Sequence, residues 1–380
     1  MSPVLAQTGS LASEYPGVPS TESIKYAGSK LKLLPQILGL AEQTQARTVL
    51  DGFSGSTRVS QALAKAGYRV IANDQSVWSE ILGHCYLKAG KKESYAKLIQ
   101  HLNACKPVEG WFTQFYGGDP TQLVQDGAQG EKRPWQIHNT RKLDGIREEI
   151  DRLHLAPDAK AVALTSLMLA LDQVDSTMGH FSSYLRAWSR RSYHHMHLQL
   201  PEITETRRDH EVMRADVFKA TATHAVDLAY YDPPYGSNNE KMPPSRVRYA
   251  AYYHVWTTIC LNDKPELFGK VHRRSDSRDT VSASVFEEFR QDKDGRFLAV
   301  AAIHRLLKQT QAKHVILSYS SGGRATAAEL NEAMQDVGDV LQIIEIDYRK
   351  NVMAGMTSTN KWLRDAQESN REFLFLLRRR

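Results

Sequence analysis

The chain has 380 residues, 41% of them hydrophobic, with a mean hydropathy of −0.47, which suffices for one large core or two moderate ones and excludes a disordered chain. Lys and Arg outnumber Asp and Glu by 49 to 43, a net charge of +6 and a pI near 9.0, and this balance mildly favours a polyanionic partner. Cys85, Cys105 and Cys260 are far apart and odd in number, which excludes a disulfide framework and a paired-cysteine metal site and suits a reducing cytoplasm.

No run approaches 18 apolar residues, so no membrane span is expected, and residues 1–19 read as a loose tail without the features of a signal peptide. Residues 24–30 open the ordered part and lead into a helical pattern with Leu31, Leu34, Ile37, Leu38 and Ala41 on one face. Lys25 and Lys30 flank a glycine turn at that helix start, where Lys30 is placed to hold a carboxylate or phosphate or simply to face solvent.

Residues 48–59 follow as a short apolar strand, a glycine turn and a helix start, with Val59, Leu63 and Ala66 inward and Gly67 at the C′ position. A second strand over 68–73 ends at Asp74. The result is a βαβ unit with a glycine turn after its first strand and an acid after its second, an arrangement that implies an adenosine-containing ligand, with a purely structural βαβ unit as the blander reading of this segment alone. Gly52 and Gly55 are three apart and a third glycine is missing, so the turn does not match the pyrophosphate-gripping G-x-G-x-x-G pattern.

From 83 to 205 the α/β rhythm is lost, and a parallel crossover needs far fewer residues, so an insertion is expected. Residues 111–142 read as loops around short helices, and 156–174 as the strongly apolar helix at the insertion's core. Residues 177–195 then carry Arg186, Arg190 and Arg191, three histidines, four aromatics including Tyr184, and no acid. That mixture suits phosphate contact and base stacking, against the blander reading of a solvated basic face. His194 and His195 are not expected to bind metal, since adjacent histidines point differently and no partner has the right spacing.

Residues 213–218 resume the α/β pattern with Asp216 at a strand end. The apolar run 225–231 reads as a buried strand that stops at Asp232-Pro233-Pro234-Tyr235. Neither proline can donate a ladder hydrogen bond, and their fixed φ holds the backbone extended beyond the sheet edge. A carboxylate, exposed carbonyls and a tyrosine face are presented together, a shape able to grip a planar ring that bears an amino group, although Asp-Pro-Pro taken alone favours a plain strand end with a proline turn. A polar stretch over 236–279 follows, containing Asn238 and Asn239 and one amphipathic island at 252–261. The rest reads as a helix over 296–309, a strand over 314–319, a helix over 325–337, and strands at 341–346 and 373–377. With no helix between them, these last two should pair as an antiparallel hairpin at the sheet edge.

Taken together, these motifs resemble the D12 class of DNA adenine-N6 methyltransferases, the Dam-like group. Lys25-Tyr26-Ala27-Gly28-Ser29-Lys30 is similar to that family's opening Lys-Trp-x-Gly-Gly-Lys, Asp51-Gly52-Phe53-Ser54-Gly55-Ser56 to its Phe-x-Gly-x-Gly cofactor loop, and Asn73-Asp74 to its ribose site. Asp232-Pro233-Pro234-Tyr235 resembles its catalytic signature, and the stretches 177–186 and 249–256 resemble its restriction-associated branch. Tyr26 in place of Trp, Ser29 in place of Gly, and Thr57, with the second loop glycine not where the family usually has it, are the departures.

The resemblance implies a Rossmann-like methyltransferase sheet, mostly parallel with an antiparallel C-terminal hairpin strand, and S-adenosylmethionine as methyl donor. It places Tyr26, Gly28, Lys30, Asp51, Phe53, Gly55, Asp74, Asp216 and Asp232 at the cofactor, with Lys30 on its carboxylate, Asp74 on its ribose and Asp216 near its adenine amino group. Asp232, Pro233, Pro234 and Tyr235 become the catalytic segment. Tyr184, Arg186, Arg190, Arg191, Asn238 and Asn239 are the candidate DNA contacts. The expected layout is a tail over 1–22, a catalytic domain from 23–82 and 206–380, and an inserted helical target-recognition domain over 83–205. Double-stranded DNA is the expected partner, with a cognate restriction endonuclease as a functional one and no metal. An RNA adenine methyltransferase and a catalytically inactive DNA-binding module stay open. Cytosine-C5 chemistry does not, because no cysteine follows a proline.

Overall fold

The computed structural model describes residues 17–121, 133–185, 187–205, 209–236, 249–278, 281–282, 284–347 and 371–380. Seven strands form one sheet: β1 (Thr48–Asp51), β2 (Arg69–Asp74), β3 (Glu211–Arg214), β4 (Leu228–Tyr231), β5 (His314–Ser320), β6 (Gly338–Asp347) and β7 (Arg371–Arg379). Their order is β6-β7-β5-β4-β1-β2-β3, parallel throughout except for β7, which runs against both β5 and β6. The expected C-terminal antiparallel pair is therefore present at the sheet edge.

Central parallel strands are covered on both faces, which is why β1 and β4 read as unbroken apolar runs. Leu50, Ala229, Tyr231 and Leu317 point to one face and pack with Ile303, Leu306 and Leu307 of the helix Leu298–Gln309. Val49, Leu228, Tyr230 and Ile316 point to the other and meet Leu34, Ile37 and Ala41 of the helix Leu34–Gln43. The chain leaves β1 toward β2 and later returns to place β4 on the other side of β1. A doubly wound sheet opens a crevice at such a reversal, beyond the carboxyl ends of the two strands. Asp51 and Asp232 stand at those ends.

A second core lies outside the sheet, around the helices Ile137–Arg152 and Pro157–Gln173. It also takes in Trp78 and Leu82, and Tyr253, Val255, Trp256 and Ile259 from beyond β4, so packing crosses both expected boundaries of the insertion at 83 and 205. The apolar helix falls where its sequence places it. Residues 111–121 and 133–142, the described parts of the stretch read as loops around short helices, carry more helix than their composition suggests. Helices span Trp111–Tyr116 and Ile137–Arg152, and the inward side of the second mixes Asn139, Thr140, Asp144 and Arg147 with Leu143, Ile146 and Ile150. Those polar side chains mask the apolar period yet are satisfied inside: Asp144 accepts from the amides of Phe112 (2.9 Å) and Thr113 (2.8 Å), and Arg147 Nε donates to the Ile259 carbonyl at 2.7 Å. Strand β4 is also shorter than the apolar run 225–231, because Asp227 turns to accept from the amides of Arg47 and Thr48, each at 2.9 Å. Among the described residues, no helix is long and apolar enough to cross a membrane.

Candidate active site

The crevice between β1 and β4 is a cavity of about 700 Å³. Its wall includes Tyr26, Gly28, Lys30, Asp51, Phe53, Gly55, Asp74, Asp216 and Asp232, which are all nine residues the sequence assigned to a cofactor, together with Pro233 and Pro234. This size is within the usual range for pockets that enclose small molecules.

The glycine turn works by proximity. Gly55 has φ +45°, and a Cβ there would lie 3.3 Å from the Tyr26 ring. Gly28 has φ +84°, with a Cβ position 3.0 Å from Tyr249 Oη. Both positions need a left-handed backbone and lack room for a side chain. Tyr26 stacks on Tyr253 (4.9 Å between centroids) and Tyr249 (5.5 Å) and tilts against Trp78 (5.6 Å), which makes one aromatic wall. Phe53 meets Phe286 edge-on at 5.3 Å on the opposite side.

Asp74 accepts the Gly55 amide at 2.9 Å and the Ser76 amide at 2.8 Å. The carboxylate thus fixes the glycine loop while keeping lone pairs for a further donor. Burial pushes its carboxyl up, against those amide bonds. Asp51 accepts from Ser60 Oγ at 2.6 Å through Oδ2. Burial pushes Asp51 up to about 7, with the Ser60 bond opposing and Asp232 adding to the shift. Asp216 caps the helix Val217–Thr223 by accepting the Phe218 amide at 2.8 Å, and Gln75 Nε2 donates to it at 3.0 Å.

Among the buried oxygens on the cavity wall, Asp51 Oδ1, Asn73 Oδ1 and Tyr230 Oη meet no hydrogen-bond partner among the described residues. Orphaned buried oxygens at one strand reversal are costly unless a ligand brings donors or positive charge to them. The ammonium and sulfonium of S-adenosylmethionine would supply positive charge there, so these residues fit that group.

Lys30 does not face outward toward a free anion. Its Nζ lies 3.0 Å from Asp232 Oδ1 and 3.0 Å from Glu372 Oε1, and donates to Tyr235 Oη at 2.8 Å. The approach to Asp232 Oδ1 is a buried ion pair, and since an ionised carboxylate has about four lone-pair sites, Asp232 keeps acceptor capacity for a further donor. Burial alone would lower Lys30, but Asp232 and Glu372 outweigh it and hold the ammonium protonated well above its usual range. Burial pushes Asp232 up to about 7; Lys30 opposes this and Glu372 reinforces it. Tyr235 is not on the cavity wall. Its ring tilts against Tyr319 at 5.1 Å and its hydroxyl is held by Lys30.

The basic stretch is assembled differently from a solvated helix face. Thr177 bridges to Tyr184, and a short turn of helix covers Arg190–Tyr193. Tyr184 is buried, with its hydroxyl donating to the Val271 carbonyl at 2.9 Å. Arg191 Nε reaches Asp175 Oδ1 at 2.8 Å, and Lys25 Nζ meets the same carboxylate oxygen at 2.8 Å. Arg190 is exposed, as are Tyr193, His194 and His195. Arg186, Asn238 and Asn239 fall outside the described residues. Among the described residues, no group of His, Cys, Asp or Glu is arranged to hold a metal ion.

Glu372, Trp78 and Phe286 escape the sequence reading. None belongs to a short motif; Trp78 and Phe286 are cavity-wall aromatics that look like ordinary core residues, and Glu372 reaches the site only through the sheet topology.

A seven-stranded sheet with this order, a glycine turn after β1, an acid after β2 and Asp-Pro-Pro-Tyr after β4 define a Rossmann-like fold of the methyltransferase type. Residues 26–320 match the profile of the D12 class N6 adenine-specific DNA methyltransferases, and the chain belongs to that family. It is 25% identical over 347 residues to modification methylase StsI of Streptococcus sanguinis, covering 86% of this chain and 48% of that protein. It is 26% identical over 353 residues to modification methylase LlaI of Lactococcus lactis subsp. lactis, covering 86% and 51% respectively. Against the type II methyltransferase M.CviAII of Paramecium bursaria Chlorella virus 1 it is 24% identical over 331 residues, covering 83% of this chain and 89% of that one. The chain thus spans about half the length of the first two relatives and most of the third.

Proposed function

We propose that the protein transfers a methyl group from S-adenosylmethionine to N6 of an adenine turned out of duplex DNA at a specific sequence, as the modification half of a restriction-modification system. The observation that carries this reading is a cavity at the β1/β4 reversal whose wall includes every expected cofactor residue beside Asp232. Family membership and the names of the relatives support it.

S-adenosylmethionine would supply an electrophilic methyl on a sulfonium. The protein's part is to prepare the nitrogen. An exocyclic adenine amine is a weak nucleophile because its lone pair is delocalised into the ring. Asp232 Oδ1 and the Pro233 carbonyl accept its two hydrogens and draw it out of plane. Orientation and electrostatics fixed in advance then lower the barrier for in-line displacement. The base must leave the stack to reach a strand end, and Tyr249 on the cavity wall offers it an aromatic face. Exposed Arg190 and Tyr193 are the described candidates for backbone and base contact in the basic loop.

The test is tritium transfer from labelled S-adenosylmethionine to duplex DNA and to structured RNA, followed by nucleoside analysis. N6-methyl-deoxyadenosine from the duplex is expected. Transfer to RNA alone would move the substrate, and cofactor-free DNA binding without transfer would leave an inactive binding module.

A further inference from the structure

Lys30 meets a second carboxylate that belongs to none of the sequence motifs. Glu372 Oε1 lies 3.0 Å from Lys30 Nζ and accepts from Ser318 Oγ at 3.0 Å. Lys30 and Glu372 are 6% and 8% exposed, so both charges are shielded from water. Glu372 is the second residue of β7 and pairs with Ser320, the last residue of β5. Because β7 runs against the parallel strands, its start lies at the sheet edge where theirs end. The antiparallel strand thereby delivers an acid to the end of β4 from far along the chain, beyond the residues 26–320 that match the family profile.

An ammonium has three hydrogens to donate. Here it is surrounded by Tyr235 Oη at 2.8 Å, Asp232 Oδ1 at 3.0 Å and Glu372 Oε1 at 3.0 Å, with the Gly28 carbonyl at 3.4 Å. Paired with Asp232 alone, Lys30 would form a closed ion pair and draw off the electron density that makes Asp232 a good acceptor. Two carboxylates divide its charge and fix its position between them. Asp232 then keeps an oxygen available for an amine, and Tyr235 keeps its ring orientation through the same ammonium.

We propose that Glu372, anchored by Ser318, is a positioning residue for methyl transfer, acting through Lys30 to set Asp232 and Tyr235. The inference rests on the reading that transfer takes place at Asp232. The Glu372 charge favours the protonated form of Asp232, whereas Lys30 disfavours it. Removing the Glu372 charge takes away one of the two effects that raise Asp232 and leaves burial alone against Lys30, so the Asp232 titration should move to lower pH.

Glu372→Gln is nearly isosteric and retains an oxygen for Ser318. With the full chain, kcat is expected to fall roughly tenfold through lost alignment while KM for S-adenosylmethionine stays within about twofold. The acid limb of kcat/KM should move down by about one pH unit. Glu372→Gln combined with Lys30→Met should be no slower than Lys30→Met alone, because the two act in series. An acid limb that stays in place, or losses that multiply in the double variant, would overturn the proposal. Carbon-13 NMR of labelled Asp carboxyls, with Asp232 assigned from Asp232→Asn, follows the same titration without any turnover. A wild-type protein that transfers no methyl group would refute the reading beneath the proposal, and an Asp232 resonance indifferent to Glu372→Gln would refute the proposal itself.

Discussion

Lys30 Nζ lies 3.0 Å from Asp232 Oδ1 in a buried pocket, yet Asp232 sits up at about 7 instead of being held down by its partner. Burial is the larger effect, since removing a carboxylate from water disfavours its charge more than one ammonium, already shared with Glu372, restores. Asp232 is the stronger acceptor of amino hydrogens, and the better complement to positive charge developing on the nitrogen, when it is ionised. The kcat/KM for S-adenosylmethionine, which reports the free enzyme, should therefore rise with pH and level off above about 7, falling about tenfold per unit below it. Asp51 titrates in the same region and would steepen the limb. The cofactor's positive charge favours both carboxylates, so the limb in kcat at saturating cofactor should lie at lower pH. Stability runs the other way. A raised carboxyl favours the fold while protonated, and this contribution is lost as pH climbs from the unfolded value of about 4 through 7. Rate profiles and thermal midpoints over pH 5 to 9 check both signs.

Asp232→Ala should abolish methyl transfer while leaving duplex affinity within about threefold, because the side chain faces the cavity and not the basic loop. Asp232→Asn keeps one acceptor oxygen but loses the charge, and a fall in kcat of roughly 10²- to 10³-fold is expected. Single-turnover transfer alongside filter binding separates the two effects. Near-normal transfer by the alanine variant would remove Asp232 from the chemistry.

What the sequence displayed and what it hid divide along chain distance. The βαβ unit from Thr48 to Asp74 and the Asp-Pro-Pro-Tyr turn are local: each is a strand end with a few residues beyond it, so periodicity and turn chemistry locate them. Lys30 was visible as a lysine at a helix start, fit for an anion or for solvent, but neither its burial nor its partners were, because Asp232 and Glu372 reach it only when β4 and β7 take their places in the sheet. Tyr235 reads as a stacking ring, yet the Lys30 ammonium turns it toward Tyr319 and leaves Tyr26, Tyr249 and Tyr253 as the aromatic wall. The helix Ile137–Arg152 was obscured by buried polar residues whose partners lie in other elements, such as Arg147 on the Ile259 carbonyl.

Gly55→Ala tests the loop geometry. Its φ of +45° costs an L-residue about 1–2 kcal/mol, and the new Cβ would press on the Tyr26 ring at 3.3 Å. Affinity for S-adenosylmethionine, measured by calorimetry, should fall roughly tenfold while the sheet stays intact. An unchanged affinity would show that the Tyr26 wall does not contact the cofactor.

Arg190 and Arg191 are neighbours with different tasks, and salt dependence should tell them apart. Arg190 is exposed, so it is available for a phosphate. Neutralising it as Arg190→Gln should weaken duplex binding and lower the slope of log K against log salt by about 1, with little change in thermal midpoint. Arg191 is held by Asp175, which is buried and also receives Lys25 and the Thr177 hydroxyl. Lys25 immediately precedes Tyr26 of the cofactor wall, so this carboxylate ties the basic loop to the cavity. Asp175→Asn should destabilise the fold by about 1–3 kcal/mol, a range reduced from that of a fully buried pair because Lys25 and Arg191 are 40% and 35% exposed. It should also weaken DNA binding without much change in the salt slope, since no phosphate contact is removed. A slope lowered equally by Arg190→Gln and Asp175→Asn would mean that Arg191 meets the phosphates only when Asp175 holds it in place.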